Sequence, residues 1–306
     1  MFIKLCQFFF KKKCTPHERR SYAPLLLFVF NRAEHTEKTL RALAANNLVK
    51  KTNLYIYSDG PRSEADVEAV VRVRKLCAGM KGFASVKIYE SKKNKGLAES
   101  IISGVTEQIA VHGRVIVMED DLVTNSHFLE YMNNALDNYE NDSAAFSIGG
   151  YTFPPHADFT LPADYVWDTY SINRCCSWGW ATWRSRWEKV IWDKAHFSDF
   201  LQDPSAQEEF DRNGPDMTAT LRQYCEGKLD VWAIRFCYAH FVNRMNCIYP
   251  VRSLVNNIGM DGSGIHCGMD PRRQHERLDE TWSPQRFCPA GHVDPVILPQ
   301  FSNMFT

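Results

Sequence analysis

The chain has 306 residues, of which 44% are hydrophobic and 24% charged, with 36 Lys+Arg against 36 Asp+Glu. That length allows one large α/β domain with extensions or two small domains, and the composition excludes disordered and collagen-like classes. The balanced charge leaves no basic field to gather nucleic acid, so no nucleic-acid partner is expected.

Residues 1–13 read MFIKLCQFFFKKK. Lys4 interrupts an apolar stretch already far shorter than the ~20 residues of a membrane span. No small-residue cleavage site follows a long apolar region, so a secretory leader is not expected. Phe8, Phe9 and Phe10 followed by Lys11, Lys12 and Lys13 suit peripheral contact with an anionic membrane surface, and equally a frayed tail. The ten cysteines are scattered without a Cys-x-x-Cys pair, and Cys175 and Cys176 are adjacent. Reduced thiols serving as small buried hydrophobes are the expectation, which favours a reducing, cytoplasmic compartment, with the tail at the inner face of the membrane.

Residues 25–30, LLLFVF, form a short, continuously apolar run expected of a strand buried on both faces. Thr36 then stands before a helical pattern carrying Leu40, Leu43 and Leu48, and 54–57 (LYIY) gives a second strand ending at Ser58-Asp59-Gly60-Pro61. Ser63 and Asp66 resemble a capping box opening a helix through Val67, Val70, Val71 and Val73, and 86–89 supplies a third strand. Over 94–110, Leu97, Ile101, Val105 and Ile109 recur every four residues as a helical stripe before the strand RVIVM at 114–118. Thr124 is placed to cap a helix with Phe128, Leu129, Met132 and Leu136 inward, and 144–149 returns as a strand. The alternation predicts an α/β fold with a doubly wound, mostly parallel sheet. After Gly150 it gives way to an irregular, aromatic-rich half, as in SWGWATWRSRW at 177–187. Ligands of open α/β sheets bind beyond the carboxyl ends of the strands, so a nucleotide half roofed by an acceptor-binding half is the expected plan.

At the end of the 114–118 strand stand Glu119, Asp120 and Asp121. Three consecutive carboxylates repel one another unless a cation or several donors compensate them. Mn²⁺ or Mg²⁺, held by one or two carboxylates and substrate phosphates, is the natural compensator. The alternative is that Asp120 or Asp121 caps the helix after Thr124.

The stretch VIVMEDDLVTNSHFLEYM at 115–132 closely resembles the EDD segment of N-acetylglucosaminyltransferase I, its protein-O-mannose relative and bacterial sugar transferases sharing the GT-A fold. Phe30-Asn31-Arg32, Asp59, Asn94-Lys95-Gly96-Leu97 and Trp178-Gly179-Trp180 follow the same order along the chain as in that family. The resemblance implies a GT-A glycosyltransferase domain over 21–270, with a nucleotide-sugar half at 21–150 and an acceptor half at 151–270. A tail at 1–20 and an extension at 271–306 flank it. It further implies Asp121 as the metal ligand, Glu119 and Asp120 on sugar and ribose hydroxyls or metal-bound water, and Asp59 reading the base. Arg32 and Lys95 are candidate nucleotide contacts, with solvated surface cations as the alternative. Leu229-Asp230-Val231-Trp232 resembles the segment that carries the family's catalytic base, which casts Asp230 in that role; the alternative is a cap on the helix beginning VWAIRF.

The glycine-rich NNIGMDGSGIH at 256–266 resembles the family's loop over the donor phosphates, with His266 as a phosphate or metal contact, or simply a hydrogen-bonded surface residue. The implied activity is metal-dependent, inverting transfer from a nucleotide-sugar donor, a UDP-sugar such as UDP-GlcNAc, to a glycan or lipid-linked glycan in bacterial surface polysaccharide synthesis. Two rivals stand beside it. A sugar-phosphate nucleotidylyltransferase normally carries a glycine- and arginine-rich phosphate loop after its first strand, where this chain has FNRAEHT. A non-catalytic carbohydrate-binding protein would account for the eight tryptophans and twelve tyrosines but has no need of three acids at a strand end.

Overall fold

A computed structural model describes residues 21–153, 159–262 and 277–305. The first half alternates as expected: β1 (Leu25–Val29), α1 (Ala33–Ala44), β2 (Asn53–Ser58), α2 (Glu64–Ala78), β3 (Ser85–Glu90), α3 (Leu97–His112) and β4 (Arg114–Glu119). There follow β5 (Leu122–Thr124), α4 (Phe128–Asn138), β6 (Ala145–Gly149), β7 (Thr169–Ile172), β8 (Trp180–Trp183) and α5 (Arg184–Trp187). The chain continues through α6 (Pro204–Asp211), α7 (Met217–Cys225), α8 (Ala233–Asn243), β9 (Asn246–Pro250), β10 (Val255–Asn257) and α9 (Ile297–Asn303).

One sheet has the order β3-β2-β1-β4-β8-β6-β9-β7, and β5 pairs with β10 in a small second one. The first four strands are mutually parallel, as are β6 and β9, whereas β8 and β7 run antiparallel to their neighbours. The pleat divides the apolar runs between two faces. Leu25, Leu27, Val29, Ile116 and Met118 pack with Leu40 and Leu43 of α1, Val73 of α2 and Phe128, Leu129, Met132 and Leu136 of α4. Leu26, Phe28, Val115 and Val117 face the other way, onto Ile101, Val105 and Ile109 of α3. Helices on both faces make the sheet doubly wound.

Several expected caps are replaced by other hydrogen bonds. Thr36 lies inside α1, whose N-cap is Arg32, and its hydroxyl donates to the Arg32 carbonyl at 2.8 Å, the usual bond of a threonine within a helix. Ser63 does occupy the N-cap of α2 but makes no side-chain cap: the Asp66 N–H donates to the Ser63 carbonyl at 3.0 Å, and the Asp66 carboxylate is taken by the Arg62 guanidinium and backbone N–H and by Asn31 Nδ2. On that helix Val70 and Val73 point inward, whereas Val67 and Val71 are exposed. Leu97, at the first turn of α3, is likewise exposed. Thr124 ends β5 and accepts from Asn46 Nδ2, and α4 begins four residues later with His127 as its N-cap.

The aromatic second half contributes β7, β8 and β9 to the main sheet. Trp180, Trp187 and Trp232 are buried, with Trp180 stacked on Trp187 and Trp232 at centroid distances of 5.8 and 5.0 Å. These rings are core, closed to a sugar. Residues 277–305 return to the same core through Ala290, Ile297 and Phe301. The seven cysteines of the described residues are free thiols, all buried except the half-buried Cys225. No helix among the described residues is long and apolar enough to cross a membrane. The 1–13 tail lies outside the described residues.

Candidate functional site

β1 lies between β2 and β4, and the chain leaves it in one direction toward β2 and β3 and returns on its other side as β4. This is the switch point where open α/β sheets hold ligands, and the carboxyl ends of β1 and β4 carry Arg32 and Glu119-Asp120-Asp121.

Arg32 Nη2 donates to Asp120 Oδ1 at 2.5 Å and to Asp121 Oδ2 at 2.8 Å. α1 fixes both sides of this contact: Thr36 holds the Arg32 carbonyl, and the buried Thr39 hydroxyl donates to the Asp120 carbonyl at 2.8 Å. Burial opposes the charge on Arg32, yet Asp120 and Asp121 together hold the guanidinium above its ordinary pKa. The alternative in which these aspartates cap the next helix is not what forms, since α4 has no side-chain cap.

One guanidinium serves three acids. Burial, then repulsion from Asp121 and Asp120, pushes the Glu119 carboxyl up to about 8, with Arg32 only partly offsetting them. Burial likewise raises Asp120 despite its Arg32 partner. Asp120 Oδ2 is buried with no hydrogen-bond partner among the described residues. An orphaned anionic oxygen at this depth is costly unless something else meets it.

The β5–β10 pair brings the glycine-rich segment over this cluster. Val255, Asn256 and Asn257 pair with Thr124, Val123 and Leu122, and the Ile258 N–H donates to the Asp121 carbonyl at 2.9 Å. A Cβ at Gly259 would stand 2.1 Å from Asp121 Oδ2 and 3.0 Å from Arg32 Nη1, so only glycine lets the backbone lie so close to the pair. Beyond it Asp261 pairs with His35 Nε2 at 3.1 Å. His266 lies outside the described residues.

At the end of β2, the Asp59 carboxylate receives the backbone N–H groups of Gly60 (2.8 Å), Lys95 (2.9 Å) and Gly96 (3.0 Å), and Asn94 Nδ2 (3.0 Å). It ties this strand end to the start of α3 and leaves the Lys95 side chain exposed. Asp230, also exposed, comes to the same place: its Oδ2 is 3.5 Å from where a Gly96 Cβ would be. Its alternative role as a cap is not realised, because the N-cap of α8 is Trp232 and no side chain caps that helix. The structure therefore brings Arg32, Glu119, Asp120 and Asp121 into one cluster, and Asp59, Lys95 and Asp230 around the start of α3. His35 escaped sequence reasoning. Asn257, Gly259 and Asp261 lie in the glycine-rich stretch expected over the donor phosphates, but the stretch itself does not say that it rests on Asp121 and Arg32.

No three His, Cys, Asp or Glu side chains among the described residues are grouped to hold a metal. The arrangement fits instead a hard cation that uses one or two carboxylates and completes its shell with phosphate oxygens and water. The orphaned Asp120 Oδ2 and the excess of carboxylates over guanidinium are the features that suit it. An open groove of about 670 Å³ runs elsewhere, between α1 and α2 over Leu40, Ala44, Leu76 and Met80, and includes none of the three acids.

No protein-family model matches the sequence, and no curated protein matches it. Among solved structures, the mannosyltransferase PcManGT from Pyrobaculum calidifontis in complex with GDP-Man and Mn²⁺ is similar at 14% identity over 56% of this chain, with a TM-score of 0.38. The match spans 48% of that mannosyltransferase, about half its length. The galactosyltransferase LgtC in complex with donor and acceptor sugar analogs is similar at 9% identity over 92% of this chain and 96% of its own, with a TM-score of 0.38. A UDP-glucose pyrophosphorylase complexed with UDP-glucose gives 11% identity, coverage of 74% and 90%, and a TM-score of 0.36. Likenesses this distant carry no argument about what this chain does.

Proposed function

We propose that the chain is a GT-A glycosyltransferase that moves a hexosyl or N-acetylhexosaminyl group from a nucleoside diphosphate sugar, of the UDP-GlcNAc kind, to a hydroxyl of a glycan or lipid-linked glycan. The observation that supports it is the carboxylate cluster at the β1/β4 switch point, with Asp120 Oδ2 buried and unpartnered among the described residues and the Gly259 backbone against Asp121. Asp121 and Asp120 are the residues to hold Mn²⁺ or Mg²⁺. When bound, the cation supplies charge neutralisation for the departing diphosphate. Glu119, half-buried beside them, is suited to accept hydrogen bonds from hydroxyls of the donor. Lys95, exposed at the start of α3, is available to phosphate.

In the reaction the acceptor oxygen forms a bond to the anomeric carbon as the bond from that carbon to the diphosphate oxygen breaks, and the hydroxyl proton passes to an Asp230 carboxylate oxygen. A single base on the side opposite the leaving group gives inversion. The test is a screen of nucleotide-sugars with and without Mn²⁺, reading release of nucleoside diphosphate. Metal-dependent release from one donor, abolished in Asp121→Asn, is expected. Formation of a nucleoside triphosphate from nucleotide-sugar and pyrophosphate, or no release from any donor, overturns the proposal.

A further inference from the structure

Two of the oxygens that would hold a cation are already held by one. Asp120 Oδ1 and Asp121 Oδ2 both accept from the same nitrogen of Arg32, at 2.5 and 2.8 Å, and the Arg32 side chain is only 21% exposed. The Gly259 backbone lies against both Asp121 Oδ2 and Arg32 Nη1. A divalent ion reaching Asp121 Oδ2 must therefore displace a buried, charge-assisted contact, and a guanidinium displaced without a new anion nearby is left against an incoming dication. A diphosphate removes that difficulty, because it brings negative oxygens for both the metal and a planar guanidinium fork.

We propose that Arg32 is a resident counter-cation that keeps bare divalent metal out of the site and yields Asp121 when the metal arrives with a nucleoside diphosphate, whose oxygens then receive the guanidinium. This rests on the reading of Asp120 and Asp121 as the metal-holding residues. It makes Arg32 a positioning residue that sets the order of binding, metal together with nucleotide, and explains how three adjacent acids fold without a metal.

The experiment is titration of full-length protein with Mn²⁺, free ion being counted by its paramagnetic resonance signal, with and without UDP. Wild type is expected to bind bare Mn²⁺ weakly and more tightly with UDP. Arg32→Met, which keeps an unbranched apolar stem and removes the charge, is expected to bind bare Mn²⁺ on the order of tenfold more tightly than wild type, the factor associated with one charge-assisted hydrogen bond. Its gain from UDP is expected to be smaller. Bare-metal affinity in Arg32→Met equal to or below that of wild type overturns the inference while leaving the metal site standing.

The double variant Arg32→Met/Asp121→Asn separates the two claims. If it binds Mn²⁺ as well as Arg32→Met does, the metal is elsewhere, and the underlying reading fails instead. If Arg32→Met is too unstable to titrate, its thermal midpoint is read with and without Mn²⁺. Mn²⁺ is expected to raise that midpoint more than it raises that of wild type, and an equal or smaller rise overturns the inference.

Discussion

Asp59→Asn separates two roles for the acid at the end of β2. The family resemblance has Asp59 reading the nucleobase, whereas the structure shows its carboxylate receiving three backbone N–H groups and Asn94 Nδ2. An asparagine keeps one acceptor. If its oxygen takes the place of Oδ2, it retains Gly96, Asn94 and the second, 3.1 Å contact of the Lys95 N–H, and the amide nitrogen is set against the Gly60 N–H, 2.8 Å from Oδ1 in the wild type. One charge-assisted bond at roughly 1.5–3 kcal/mol is lost. At ~2 °C per kcal/mol for a chain of this size, the midpoint falls by roughly 3–6 °C. Thermal and urea unfolding, run beside a UDP titration, check it. A midpoint within ~2 °C of wild type together with a large loss of UDP affinity refutes the clamp and returns Asp59 to the base.

Asp121→Asn is expected to remove metal-dependent turnover and to fold, which EDTA treatment of wild type should reproduce in a donor-hydrolysis assay. Asp230→Asn is expected to lower kcat by roughly 10²–10⁴ with donor affinity nearly unchanged, and anomeric coupling of the product is expected to show inversion; full activity or retained configuration assigns the proton to another group. Gly259→Ala should cost about 1–3 kcal/mol and weaken metal–nucleotide binding, because the new methyl would stand 2.1 Å from Asp121 Oδ2 and the segment must lift; unchanged unfolding and binding refute this contact. His240 is buried between Ser147 Oγ and the Phe236 carbonyl, and burial lowers its pKa to about 4 from 6.5. Between those values the unfolded chain binds a proton that the folded chain refuses, so stability is full above pH ~6.5 and falls by about 3 kcal/mol toward pH 4. Urea midpoints across that range should show a shallower slope in His240→Gln than in wild type, and equal slopes refute the assignment.

The part of the fold that was legible is the part whose pattern is local. β1 and β4 are buried on both faces, so each announces itself as a short apolar run, and α3 and α4 show their inward residues at helical spacing. β8 hid because WATW sits in a segment rich in tryptophan, glycine and arginine that shows no period of two, and its strand state comes from pairing with β4 and β6 on either side. β5 and β10 have three residues each, too short for any period, and exist because they pair across the chain.

The same division runs through the candidate site. The three acids were visible as a contradiction, like charges stacked at a strand end, but what resolves the contradiction is not local. Arg32 stands 88 residues from Asp120, and the Thr39 hydroxyl that holds the Asp120 carbonyl stands 81 residues away. Ile258 and Gly259 come from still farther along the chain. Without a metal, such an acidic turn folds only if the chain supplies the opposite charge itself, and Arg32 does so from the neighbouring strand end. It supplies too little, since one guanidinium faces three carboxylates and Asp120 Oδ2 stays without a partner among the described residues. On the proposed reading that shortfall leaves affinity for a further cation, and the position of Arg32 on Asp120 Oδ1 and Asp121 Oδ2, the neighbouring oxygens of the same two carboxylates, makes that affinity conditional on an anion that can take the guanidinium in exchange.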